Sequence, residues 1–302
     1  SNGFCIIIAR YFGGNEQDNF QKSVQFSIIL SIITTVILTI ASILFLKPLL
    51  RLLNTPVDIL DLSQSYISVI MLFCCVTFAY NLLSSILRAI GNSYIPLYAL
   101  IIASVLNVIL DIFFVKTLNM GVRGAAFATV IAQGFSALFL LIYIAKYCPL
   151  LHINIRKFTI NWTILLELLT TGFSMAMMLV LTNIGTVILQ GSINSFGTST
   201  ITGHTAARKF HDLCILPLGT ICTFSATFVS QNYGARKKER IKQGVSASIF
   251  LGTIWSVLVL MIVLIAGRQL IYALTGSTDA IVIGISMKYL YWNVPFLSLI
   301  HI

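Results

Sequence analysis

The sequence predicts an all-α, polytopic membrane protein. Three observations carry that class. First, hydrophobic residues make up 58% of the 302-residue chain and charged residues only 9%, with a mean hydropathy of +0.96. A soluble domain carries roughly 25% charge, and nine acids and nineteen bases cannot solvate a globule of 33.3 kDa. Second, apolar runs of about 20 residues, the length that crosses hydrocarbon as a helix, recur between short polar turns. Third, the basic residues gather in alternate connectors, as in membrane proteins of fixed topology. The same figures exclude disorder, collagen, a coiled coil and a disulfide-stapled secreted fold. The net charge of +10 is dispersed over interhelical segments, so no nucleic-acid partner is expected.

The elements follow in chain order. Residues 1–9 read as the tail of a helix whose start is absent, and no signal peptide is visible. Spanning helices are expected at 24–46, 64–87, 94–115, 122–145, 166–190, 204–230 and 245–266, with an incomplete one from about 281. Lys47-Pro48 closes the first, and Asn54-Thr55-Pro56 breaks the following loop. Gly91-Asn92-Ser93 precedes Pro96, which suits a first helical turn. Asn119-Met120-Gly121 turns the chain between two helices. The apolar stretch Tyr289 to Ile302 runs to the last residue, so the chain reads as a piece of a longer protein. Cys5, Cys74, Cys75, Cys148, Cys214 and Cys222 form no CxxC and no zinc spacing. Most lie in apolar runs, where a thiol behaves as a small hydrophobe.

One set of alternate connectors holds Arg10 and Lys22, Arg88, then Lys146, Arg156 and Lys157, then Arg236, Lys237, Lys238, Arg240 and Lys242. The other holds Lys47, Arg51, Lys116, Arg123 and Arg268. The first set is larger and more clustered and is therefore assigned to the cytoplasm. The chain also repeats. A shift of 221 residues places Phe12-Gly13 on Tyr233-Gly234, Asp18 on Glu239, Val24 on Val245, Lys47 on Arg268 and Asp58 on Asp279. With six helices per repeat the two copies share one orientation, the parallel-repeat arrangement of many transporters.

Residues 229–245 read VSQNYGARKKERIKQGV, and 87–96, 107–115 and 121–133 read LRAIGNSYIP, NVILDIFFV and GVRGAAFATVIAQ. The first segment resembles the loop of the multidrug and toxin compound extrusion (MATE) transporters, whose pattern is roughly Q-N/x-Y/F-G-A-x-x-x-x-R-x-x-x-G, carried here by Gln231, Asn232, Tyr233, Gly234, Ala235, Arg240 and Gly244. The other three resemble the same family at the expected spacing. The resemblance implies two parallel-repeat six-helix lobes, twelve helices in the intact protein, with residues 1–157 in the N-terminal lobe and 158–302 in the C-terminal lobe. It also implies an antiporter exporting organic, often cationic, compounds in exchange for H⁺ or Na⁺, in a bacterial cell membrane. No cofactor beyond that coupling ion is expected. The partners are small organic substrates and the lipid bilayer, and the protein is expected to be monomeric. Some branches of the family carry a seventh-helix Glu where this chain has Thr182, which removes the basis for a sodium site there.

Asp111 is the leading candidate for chemistry. A carboxylate in hydrocarbon costs about 2.5–3.5 kcal/mol on insertion scales and is functional by default. Asn107 lies one turn earlier on the same face. Thr129, in the returning helix, is expected at similar depth. Carboxylate, amide and hydroxyl together make an oxygen site for a cation or proton, and the family's first-lobe ion site matches these three positions. Tyr80, Asn81, Gln133, Thr182, Asn183 and Gln190 are candidate cavity residues, with interhelical hydrogen bonding as the competing role. Arg208, Lys209, His211 and Asp212 read as a polar helix end that could line a vestibule. Glu167 reads as interfacial, and Gly124-Ala125-Ala126 and Gly172 as sites of close packing. The cluster at 236–242 reads as a topology determinant. The alternative function is a flippase of lipid-linked saccharides, but a polyanionic headgroup asks for several intrahelical Arg or Lys. No HExxH or GxSxG motif supports an enzyme, and no filter-like loop supports a channel.

Overall fold

The computed structural model describes residues 2–52, 57–151, 159–194, 196–276 and 279–297. These residues form helices and short connectors, with no strand among them. In order they are α1 (Asn2–Gly13), α2 (Gln17–Leu52), α3 (Val57–Leu72), α4 (Cys74–Ala89), α5 (Tyr94–Asp111), α6 (Gly121–Tyr147), α7 (Trp162–Asn194), α8 (Thr198–Gly234), α9 (Lys238–Thr275) and α10 (Ala280–Asn293). A π-helical stretch, Ile112–Thr117, prolongs α5. Six of the helices are long and apolar enough to cross a membrane, and α3 with α4 makes a seventh if the bent pair is one span. These correspond in order to the seven expected spans. The 14 residues of α10 fall where the incomplete one was placed.

Three details depart from the sequence expectation. The span at 64–87 is broken at Phe73 and bends by 50°. The sequence has neither Gly nor Pro at the break, so its hydrophobic pattern does not announce it. Pro48 does not end its helix, because α2 continues to Leu52. A proline removes one backbone bond, and near the end of a 36-residue helix that loss does not stop the chain. The α5 span changes to π geometry after Asp111. The Asn54-Thr55-Pro56 breaker, the Arg156 and Lys157 pair and the 157/158 boundary lie outside the described residues.

The chain divides into two compact units, residues 1–172 and 173–302. The division falls inside α7 because the first turns of that helix belong to the first unit's core. Ile164 and Leu168 are buried there with Ile8, Phe20, Val24, Leu82 and Ile86. Gly172 meets Gly3 so closely that a Cβ on Gly3 would stand 2.9 Å from the Gly172 Cα. The second unit is built on Ala207, Leu218, Val259, Val263, Ile271 and Leu290 from α8, α9 and α10. Much of the outer surface of α2, α5 and α9 is exposed Ile, Leu, Val and Phe, which suits contact with lipid chains.

The repeat is visible in backbone hydrogen bonds. Between α1 and α2, Gly14 N donates to Arg10 O, Asn15 N to Phe12 O and Glu16 N to Tyr11 O, at 3.0, 3.1 and 3.1 Å. The residues 221 positions on repeat the pattern between α8 and α9. Ala235 N donates to Gln231 O, Arg236 N to Tyr233 O and Lys237 N to Asn232 O, at 3.0, 3.0 and 2.9 Å. The middle residue is left-handed in both, with φ of 56° at Asn15 and 57° at Arg236.

Candidate functional site

Asp111 closes the regular part of α5, with Asn107 one turn before it. Both are half-buried. Asp111 Oδ1 and Asn107 Nδ2 are buried without a hydrogen-bond partner. Such atoms are uncommon in a folded interior and call for an explanation. The π turn begins at the next residue, and π segments inside helices concentrate at functional sites. Asn119 (φ 51°) and Gly121 (φ 56°) then return the chain as α6. Two contacts hold α5 and its extension to α6. Ser136 Oγ donates to Ala99 O at 2.9 Å, and Gly124 leaves room for Phe114, whose Cβ would be 3.0 Å from an added methyl. Thr129 is half-buried on α6, and its hydroxyl donates to Ala125 O at 3.0 Å, leaving its oxygen lone pairs as acceptors. Asn107 and Asp111 thus form one polar patch, and Thr129 lies on the helix packed beside it.

The other candidates fall in two groups, Tyr80, Asn81 and Gln133 in the first unit and Thr182, Asn183 and Gln190 in the second. Thr77 donates its hydroxyl to Gln133 Oε1, and Asn81 Nδ2 donates to Thr77 O at 2.8 Å, so Asn81 and Gln133 belong to a polar bridge between α4 and α6. Tyr80 packs against Leu87, Ala99 and Leu140. Thr182 and Asn183 are exposed and bond backward along α7 to Met178 O and Leu179 O, at 2.9 and 2.7 Å. Asn183 also lines an open groove of about 400 Å³ with Leu179, Val180, Ile184, Val187 and Ile188. Gln190 lies half-buried two turns further along α7.

The loop motif explains itself by packing. Gly234 ends α8, and Ala235 bonds back to Gln231. An added methyl at Gly244 would lie 2.4 Å from the Phe228 ring, and the Arg240 guanidinium sits 5.8 Å above the same ring. A glycine and a cation thereby clasp one aromatic ring across the hairpin.

Two polar arrangements go beyond the sequence reading. Glu167 is an ion-pair partner of Arg10 and accepts a hydrogen bond from the Tyr11 hydroxyl at 2.9 Å. Burial, with that acceptor adding to it, raises the Tyr11 phenol above its usual value. In the second unit Arg208 donates to Thr186 Oγ1 at 3.0 Å and lies 3.8 Å from Asp212. His204, which the sequence reading did not single out, is buried next to Tyr289. The spacing of His204, Arg208 and His211 on one face of α8 was present in the sequence, but the ring that His204 meets, Tyr289, lies on a different helix.

Residues 1–113 and 171–301 match the sequence model of the family described as MatE. The chain is 26% identical over 254 residues to the probable multidrug resistance protein YpnP of Bacillus subtilis strain 168, covering 84% of this chain and 56% of that protein. It is 22% identical over 277 residues to the probable multidrug resistance protein YoeA of the same strain, covering 89% and 60%. It is 23% identical over 236 residues to the multidrug export protein MepA of Staphylococcus saprophyticus, covering 78% and 52%. Among solved structures, a MOP superfamily transporter from Pyrococcus furiosus superposes with a TM-score of 0.90 at 25% identity, covering 99% of this chain and 67% of that one. An outward-facing multidrug resistance MATE family transporter gives 0.90 at 24% identity, covering 99% and 66%. The chain therefore spans between 52% and 60% of the length of these three curated relatives.

Proposed function

The chain belongs to the MatE family, a family of membrane transporters rather than enzymes, and on that premise we propose that the protein exports small organic compounds, often cationic, by antiport. The driving ion is H⁺ or Na⁺, and the coupling site is Asp111 with Asn107 and Thr129. The observation that supports this reading is the pair of buried, unpartnered polar atoms on Asp111 and Asn107 within a helix that is otherwise apolar.

A carboxylate held in hydrocarbon is a binding free energy waiting for a positive charge. A proton neutralises it directly. A sodium ion is met by the carboxylate together with the amide oxygen of Asn107 and the hydroxyl oxygen of Thr129, all hard oxygen donors. In either case the ion shifts conformations only by its differential affinity for them. Alternating access follows if occupancy of Asp111 favours the conformation that releases the organic compound. The π turn beside Asp111 is a place where such occupancy can alter helix geometry. The named relatives in Bacillus and Staphylococcus are multidrug resistance and export proteins, and we carry their substrate class over to this chain, with a bacterial cytoplasmic membrane as its site.

The test is dye efflux from vesicles holding the full-length protein, with pH and sodium gradients imposed separately. The reading expects efflux under at least one gradient and none without either. Equal efflux with both gradients collapsed contradicts it.

A further inference from the structure

We infer that the second unit carries a proton-accepting site of its own, centred on His204, and that a proton taken up there opposes the packing of α8 on α10 in this structure. The site is separate from Asp111 and goes beyond the coupling reading above.

Positions 204, 208 and 211 of α8 follow an i, i+4, i+7 spacing and share one face. His204 at their head is only 5% exposed. Neither of its ring nitrogens has a hydrogen-bond partner. A neutral imidazole presents one donor and one acceptor, so both of its polar functions are spent on nothing in this packing. The ring of Tyr289, from α10, stands 4.9 Å from the His204 ring and 84° to it. The same tyrosine lies 6.1 Å from the His211 ring, so it sits between two imidazoles.

The charged and titratable surroundings are few. On α8 they are Arg208, His211 and Asp212. Asp212 is 3.8 Å from Arg208 and 3.7 Å from His211. From α10 comes Tyr289, while the neighbouring Lys288 is exposed. From α7 comes the neutral Thr186, which receives the Arg208 hydrogen bond. From α9 come Val259, Val263 and Ile271, and Arg268 of that helix is exposed. Imidazole is the group of this set that changes charge between about pH 5 and 8.

The geometry sets the sign. Arg208, one turn away, opposes a second positive charge at His204, and Asp212, the carboxylate that the described residues bring to the site, is two turns away and largely exposed. The two helices are closely packed at the residue next to the ring. A methyl at Gly203 would stand 2.8 Å from Val282 O, and Ser286 closes the same contact with a 2.8 Å hydrogen bond to Gly203 O. An imidazolium at 204 therefore favours a state in which α8 and α10 part enough to hydrate it. A proton that binds the parted state better shifts the population toward it.

The experiment is hydrogen–deuterium exchange of the α10 and outer α8 peptides in the full-length protein in nanodiscs, corrected for the intrinsic pH dependence of exchange. Corrected exchange is expected to rise at least about threefold between roughly pH 8 and pH 5. The step is expected to vanish in His204→Gln and in His204→Phe, which keeps an aromatic ring against Tyr289, and to persist in His211→Gln. A flat wild-type profile overturns the proposal whatever the variants do, and so does an unchanged step in either His204 variant. The readout needs no transport, so its outcome is independent of whether Asp111 couples efflux.

Discussion

A hydrogen atom stands at Gly244 where a methyl group would collide. The Phe228 ring is 2.4 Å from the position of that methyl, and this ring is also the seat of Arg240. Overpacking of this kind costs about 1–3 kcal/mol. Gly244→Ala is thus expected to lower the unfolding temperature of the purified protein in detergent. Gly219→Ala, on the same pair of helices but with nothing near the new methyl, should leave it unchanged or raise it, since alanine favours helix by up to about 1 kcal/mol. Equal losses at both positions would show that the clasp is not what the glycine protects. The family loop motif was legible in the sequence, whereas its reason was not. Nothing in VSQNYGARKKERIKQGV says that Gly244 and Arg240 share one ring, because that ring is Phe228, before the motif begins.

At the scale of helices, α7 is the element shared by the two units, and its start is tied down by Arg10 and Tyr11 of α1 through Glu167. The ion-pair side chains are 28% and 31% exposed, between the surface and buried regimes. A double-mutant cycle on Arg10→Ala and Glu167→Ala should give a coupling of about 1 kcal/mol or more, and additivity of the two losses would deny the link. Tyr11 adds a pH dependence. Its phenol is raised by burial and by donation to Glu167, so the protonated form is the one the fold stabilises. The advantage of wild type over Tyr11→Phe is then full below about pH 10 and lost as pH rises through the higher folded value. An advantage that grows above pH 10 has the wrong sign. Helices of this kind are legible because hydrocarbon demands long apolar runs, and the seven spans follow directly. The bend at Phe73 was hidden because no breaker marks it. The ionic tie was hidden because Glu167, alone at the start of an apolar run, looks like any interfacial acid. Thr182 and Asn183 stood out in the sequence by polarity, whereas the groove that Asn183 lines with Leu179, Val180 and Val187 required coordinates.

For the whole molecule, the clustered bases lead us to propose that the connectors at 10–22, 88–93, 147–163 and 231–244 share the cytoplasmic side. A single cysteine replacing Lys238 in a Cys-free background is expected to react only from the cytoplasmic side, and labelling from outside reverses the orientation. That orientation gives direction to the central claim, that Asp111 converts an ion gradient into export. An acid inside an apolar helix was legible from sequence alone, whereas the unpartnered state of Asp111 and Asn107 required coordinates. Asn107→Ala and Thr129→Ala remove neutral oxygens and should weaken coupling less than loss of the charge. The most direct measurement is ion-driven efflux by Asp111→Asn against wild type, in full-length protein at equal membrane abundance. Asparagine keeps the size and an acceptor oxygen but cannot titrate. Coupled efflux is expected to be abolished while insertion and folding persist. Efflux equal to wild type would leave Asp111 a structural residue with no part in coupling.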